Sequence, residues 1–200
     1  KNAVVGQGVV GAHRTGPALL EAKAAGVDFI NISPLRSDTP EALEADWLAP
    51  RPSTDAALMI GLAYVLLSED LADRAFLDRC TVGFDQFAAY LTGETDGVAK
   101  TADWAADICE LSAETICNLA RRMAGGRTMI SVAWALTRQD HGEQPFWLGT
   151  VLAAMLGQIG LPGGGIGFGY GATNTVGLER ASPRFQALPQ GHNKVKTFIP

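Results

Sequence analysis

The chain has 200 residues, 47% hydrophobic and 18% charged, which suits one domain with a sizeable core and a globular composition somewhat low in charge. A net charge of −5, a pI near 5.2 and the lack of any basic tract exclude a nucleic acid or an anionic membrane held by bulk electrostatics. Cys80, Cys109 and Cys117 form no CxxC pair, which excludes a disulfide framework or zinc site and leaves them as small apolar fillers.

From the amino terminus, Gly6-Gln7-Gly8-Val9-Val10-Gly11 has the letters of a GxGxxG phosphate loop, but no clear strand precedes it. An ordinary glycine loop, a dinucleotide site and another ligand contact all stay open there. A helix is expected over Pro17–Ala25, with Leu19, Leu20 and Ala24 on its apolar face and Gly26 as its stop. Val27–Ile32 then reads as a strand, closed by Ser33-Pro34, and Asp46–Pro50 as a brief second one. Both exit into proline-bearing loops, Ser33–Asp38 and Pro50–Asp55. Ser53 or Thr54 can cap a helix over Asp55–Leu67, whose Leu58, Leu62, Val65 and Leu66 form a wide apolar stripe. Asp55 suits either a ligand contact or the first-turn dipole.

Short helices and loops are expected over Ser68–Lys100, and two helices over Thr101–Cys109 and Ser112–Ala124, the second with Ile116, Leu119, Ala120 and Met123 in the core. Thr128–Trp134 has the length and β-branched content of a buried strand. It breaks into the polar burst Thr137–Gln144, followed by a helix over Pro145–Gly157 and a glycine-rich loop, Gly160–Gly171, whose amides suit close approach to a ligand. No charge falls between Glu143 and Glu179, yet Gly157, Gln158, Gly160 and Pro162 interrupt that run short of the roughly 20 apolar residues of a membrane span. Alternating helices and strands point to an α/β domain, a parallel, Rossmann-like sheet with helices on both faces in three layers. Its expected extent is 1–171, with 172–200 as an irregular extension, and the start at Lys1 without methionine suggests a piece of something longer.

Trp134–Gln144 followed by Leu152–Gly165 resembles the molybdopterin oxidoreductases of the dimethyl sulfoxide reductase family, within it the trimethylamine N-oxide, dimethyl sulfoxide and biotin sulfoxide reductases. Ala49–Met59, Gly83–Asp85, Tyr90–Gly97 and Lys100–Ala105 extend the likeness, in order, over nearly the whole chain. It implies an interior domain of a larger enzyme that performs oxygen-atom transfer at molybdenum, reducing an S-oxide or N-oxide substrate. It also implies one molybdopterin guanine dinucleotide held by this domain, of the two that carry the metal.

By that resemblance Trp134, Leu136 and Arg138 line the pterin and pyrophosphate, and His141, Gly142, Glu143 and Gln144 support the turn. The Ser33-Pro34 loop and the Pro52–Asp55 loop hold the guanosine end. Arginine is a bidentate phosphate partner, and a carboxylate at Asp55 accepts from guanine or ribose donors. Ser33 stands where these reductases usually carry aspartate. The protein ligand to molybdenum lies upstream of the matched region, so no catalytic residue or metal ligand is assigned here. The implied partners are the remaining domains of the same enzyme and its small substrate, without nucleic acid or a membrane span. A periplasmic setting, with a cytoplasmic one as the alternative, goes with the likeness. Two other readings remain: an NAD-binding dehydrogenase domain through Gly6–Gly11, and a non-catalytic interaction domain.

Overall fold

Hydrophobicity all the way round a helix signals burial on every side, and Asp55–Ser68 is the case here. In the computed structural model, which describes residues 15–166, that helix is the hub of the chain. In chain order the elements are α1 (Thr15–Ala24), β1 (Ile30–Ile32), β2 (Asp46–Leu48), α2 (Asp55–Ser68), α3 (Arg74–Cys80), α4 (Phe84–Thr92), α5 (Ala102–Cys109), α6 (Ala113–Ala124), β3 (Met129–Ile130), α7 (Gln144–Met155) and β4 (Gly165–Ile166). Helix α2 packs against α4, α5, α6 and α7, burying Leu58, Leu62, Val65 and Leu66 with Ile116, Leu119, Ala120 and Met123 of α6 in one core. Thr101 and Ser112 cap α5 and α6 by accepting from Trp104 N and Thr115 N, each at 3.1 Å.

The strands pair in parallel, Ile30–Ile32 with Asp46–Leu48 and Met129–Ile130 with Gly165–Ile166. Among the described residues these are two separate two-stranded ladders within a mixed α/β fold. They begin at a common edge. Arg122, in the last turn of α6, pairs with Asp46 at 2.6 Å and Asp28 at 3.4 Å before the first ladder, while Thr128, just ahead of β3, donates to the Met123 carbonyl at 3.0 Å. Ile30, Leu48 and Ile130 all pack on the α2-centred core, so both ladders lie on the same helices.

Several expectations need correction. The strand read over Thr128–Trp134 is only Met129–Ile130, because β4 offers a partner for two residues. Past it the chain winds into a 3-10 turn, Trp134–Arg138, closed by Leu136 N on the Ala133 carbonyl and by the Thr137 hydroxyl on the Trp134 carbonyl. Thr54 precedes α2 without capping it, since its hydroxyl donates back to the Arg51 carbonyl at 2.6 Å. On α1, Leu20 and Ala24 are exposed instead of forming an inner face, and Cys80 is exposed where Cys109 is buried. Gly6–Gly11, Gly167–Gly171 and the expected extension 172–200 lie outside the described residues. No helix among the described residues is long and apolar enough to cross a membrane.

One buried cation ties the helical rim together. Lys100, 3% exposed, holds both oxygens of Asp96 at 2.7 and 2.9 Å, donates to the Val98 carbonyl and lies 4.4 Å from the centre of the Tyr90 ring. That hydrogen bond from Lys100 holds the Asp96 carboxyl below the usual carboxylate range. Removing the acid strands a buried ammonium, whereas removing the ammonium leaves a carboxylate that water can reach. Asp96→Ala is therefore expected to lower the urea midpoint more than Lys100→Met, with unchanged m-values in both; the reverse order would show that the cage is held by packing alone.

Candidate functional site

Loops at the carboxyl ends of parallel strands are where α/β proteins gather ligands, since helix amino termini and strand exits converge there. Here Ser33–Asp38 leaves β1, Ala49–Asp55 leaves β2, and Ser131–Glu143 leaves β3. Because Ile32 pairs with Leu48, the first two loops start side by side, and Ser33 N donates to the Leu48 carbonyl at 3.1 Å.

The Ser33 turn is closed by its own polar groups. The buried Ser33 hydroxyl donates to the Asp38 carboxylate at 2.5 Å and accepts from Leu35 N at 3.1 Å, while the Trp47 indole donates to the Ser33 carbonyl at 2.8 Å. The hydroxyl's hydrogen bond holds the Asp38 carboxyl below its ordinary range. Pro34 is exposed beside it.

In the second loop Pro52 is exposed, Ser53 takes a left-handed φ of 65°, and Arg51 N donates to the Cys109 carbonyl at 2.8 Å, fastening the loop to the end of α5. Asp55 opens α2 half-buried, and burial pushes its carboxyl above the ordinary aspartate range. An acid with a raised folded-state pKa stabilises the fold only while protonated. That stability is present below the unfolded value of about 3.9 and is lost as pH rises through the folded one. Asp55→Asn keeps the shape without the charge. It is expected to melt higher than the parent at pH 7, with the gap closing towards pH 4; equal melting temperatures across that range would show that Asp55 ionises at no cost.

The third loop carries Trp134, 62% exposed, the half-buried Leu136 and the exposed Arg138 on the 3-10 turn. It then folds back through Gly142 N on the Gln139 carbonyl and Gln144 N on the His141 carbonyl. His141 has a left-handed φ of 52° and lies 3.8 Å from both Asp140 and Glu143. The backbone N–H of Glu143 holds its carboxyl below the usual range, helped by the Gln144 side chain at 3.3 Å. Gly142 is buried where a Cβ would stand 2.7 Å from the Leu136 carbonyl oxygen.

The sequence-read residues thus fall into three turns: Ser33 with Pro34, Pro52 with Asp55, and Trp134, Leu136 and Arg138 with His141–Gln144. Two arginines escaped that reading. Among the described residues, the guanidinium groups of Arg36, Arg51 and Arg138 make no ion pair or hydrogen bond, one in each strand-exit loop. Arg74, Arg121 and Arg122 pair with acids, Arg127 donates to the Pro162 carbonyl, and Arg79 lies over the Phe76 ring. The available signal was position, because Arg36 and Arg51 both lie close behind the proline of a strand-exit loop, Pro34 and Pro50. Each such planar fork, unpaired among the described residues, suits a phosphate or another planar hydrogen-bonding edge.

The family model described as molybdopterin oxidoreductase matches residues 2–198. Among curated relatives, a dimethyl sulfoxide/trimethylamine N-oxide reductase of Cereibacter sphaeroides is 49% identical over 174 residues, covering 87% of this chain and 21% of the relative. A biotin sulfoxide reductase of the same organism is 44% identical over 193 residues, 96% of this chain and 26% of that protein. A trimethylamine-N-oxide reductase of Pasteurella multocida is 50% identical over 76% of this chain and 19% of its own length. Among solved structures, an acetylene hydratase from Pelobacter acetylenicus superposes with a TM-score of 0.64 at 27% identity, over 73% of this chain and 19% of that one. The chain spans about a fifth to a quarter of the length of these curated relatives.

Proposed function

The chain belongs to the molybdopterin oxidoreductase family, and from that premise we propose that it grips the nucleotide end of one molybdopterin guanine dinucleotide within a larger oxygen-atom-transfer enzyme. The observation that carries this reading is the set of arginines without an ion pair or side-chain hydrogen bond among the described residues, Arg36, Arg51 and Arg138, one in each loop at the strand exits. In this reading the two ladders belong to a single Rossmann-like, three-layer sheet, and their exit loops form one cradle. The Arg138 fork takes the pyrophosphate oxygens. The forks of Arg36 and Arg51 match either phosphate or the O6/N7 edge of guanine, and the Asp55 carboxylate accepts from the guanine N–H groups. Trp134 and Leu136 offer an apolar ledge to the pterin. Bound molybdenum would supply two-electron oxygen-atom transfer, a chemistry suited to reductases of S-oxides and N-oxides such as the relatives' names describe, while this chain's residues bind and orient.

Calorimetric titration with guanosine diphosphate and with NAD tests the reading. Saturable binding of guanosine diphosphate without NAD is the expected result. Binding of NAD alone would favour a dehydrogenase domain, and binding of neither an interaction module; each would overturn the proposal.

A further inference from the structure

A strand that buries an amide has a structural reason for it, since an unpaired polar group costs more inside than an aliphatic one. Asn31, the middle residue of β1, is 8% exposed and stands in register with Trp47 of β2. Its Nδ2 donates to the carbonyls of Leu35 at 3.4 Å and Arg36 at 3.3 Å. The Trp47 indole, 42% exposed, donates to the Ser33 carbonyl at 2.8 Å. One cross-strand pair therefore fixes three carbonyls of the Ser33–Asp38 turn. The C=O and N–H of a trans peptide point in opposite directions. With the Leu35 carbonyl aimed at Asn31, the Arg36 N–H faces away from it, and this N–H donates to no group among the described residues.

We infer that Asn31 and Trp47 are positioning residues that hold the Ser33–Asp38 turn in the shape that presents Arg36 to the guanosine end of the nucleotide. Neither side chain needs to touch the ligand. The inference rests on the nucleotide reading above and extends it to the ladder beneath the loop.

The test uses the whole chain with two probes, guanosine diphosphate and inorganic pyrophosphate. Asn31→Asp keeps the size of the side chain but loses the donor, and Trp47→Phe keeps an aromatic ring but loses the indole N–H. Each is expected to weaken guanosine diphosphate at least tenfold while changing pyrophosphate less than twofold. Arg138→Ala should weaken both probes together. A general loss of structure would also lower both affinities and the melting temperature, so the ratio separates positioning from folding. In the absence of ligand, Asn31→Asp should also speed hydrogen exchange of the Asp38 amide, which donates to the Leu35 carbonyl at 3.1 Å. An unchanged affinity ratio in both variants, with the parent binding guanosine diphosphate, would overturn this inference alone. A parent that binds no guanosine diphosphate would overturn the functional reading and this inference with it.

Discussion

Gly61→Val is expected to cost about 3 kcal/mol or more, a large part of the roughly 5–15 kcal/mol that holds a typical domain folded. Gly61 sits buried mid-way along α2, where that helix meets α5. A Cβ built there stands 2.5 Å from the Ala105 Cβ and 3.7 Å from Ile116 Cγ2. The first distance is far inside van der Waals contact, and Ala105 is itself buried, so neither side chain can turn away. The two helices would have to separate, and α2 is also the surface on which α4, α6 and α7 rest. Gly61→Ala should lose less, because alanine returns about 1 kcal/mol of helix propensity against an overpacking cost of the same order or larger. The swap Gly61→Ala with Ala105→Gly removes the opposing methyl and should recover most of the loss. Urea midpoints for the four chains check this, and a valine variant with the parent's midpoint would show that the α2–α5 contact is loose.

How much of this was readable beforehand differs by kind of element. Helices announce themselves locally: Leu58, Leu62, Val65 and Leu66 of α2 and Ile116, Leu119, Ala120 and Met123 of α6 recur at helical spacing, and all of these are buried as read. Strands depend on partners that local pattern does not reveal. Thr128–Trp134 has strand composition throughout, but only Met129 and Ile130 find a neighbour, and Trp134 turns outward instead of inward. The same limit hid Arg36 and Arg51. Whether an arginine is spent depends on acids brought from far along the chain, as Asp46 is to Arg122 and Glu69 to Arg121, 76 and 52 positions away. Arg138 was singled out through family likeness, and its lack of a partner among the described residues became visible only with the fold.

Gly142→Ala is expected to weaken guanosine diphosphate binding tenfold or more, about 1.4 kcal/mol at least, while leaving the urea midpoint close to the parent's. The Cβ would stand 2.7 Å from the Leu136 carbonyl oxygen and 2.8 Å from both Cα and C of Thr137. All three are backbone atoms, so no side chain can rotate aside, and the 3-10 turn carrying Trp134, Leu136 and Arg138 must shift as a body. That turn buries no residue, so moving it disturbs little of the core. Its position matters for a different reason: a fork that pairs bidentately with a diphosphate tolerates little displacement. The glycine is therefore read as a spacing requirement of the loop, distinct from Gly61, where the same absence of a side chain serves helix packing. A variant that binds guanosine diphosphate as tightly as the parent would break the link between this turn and the nucleotide, and with it the role given to Arg138.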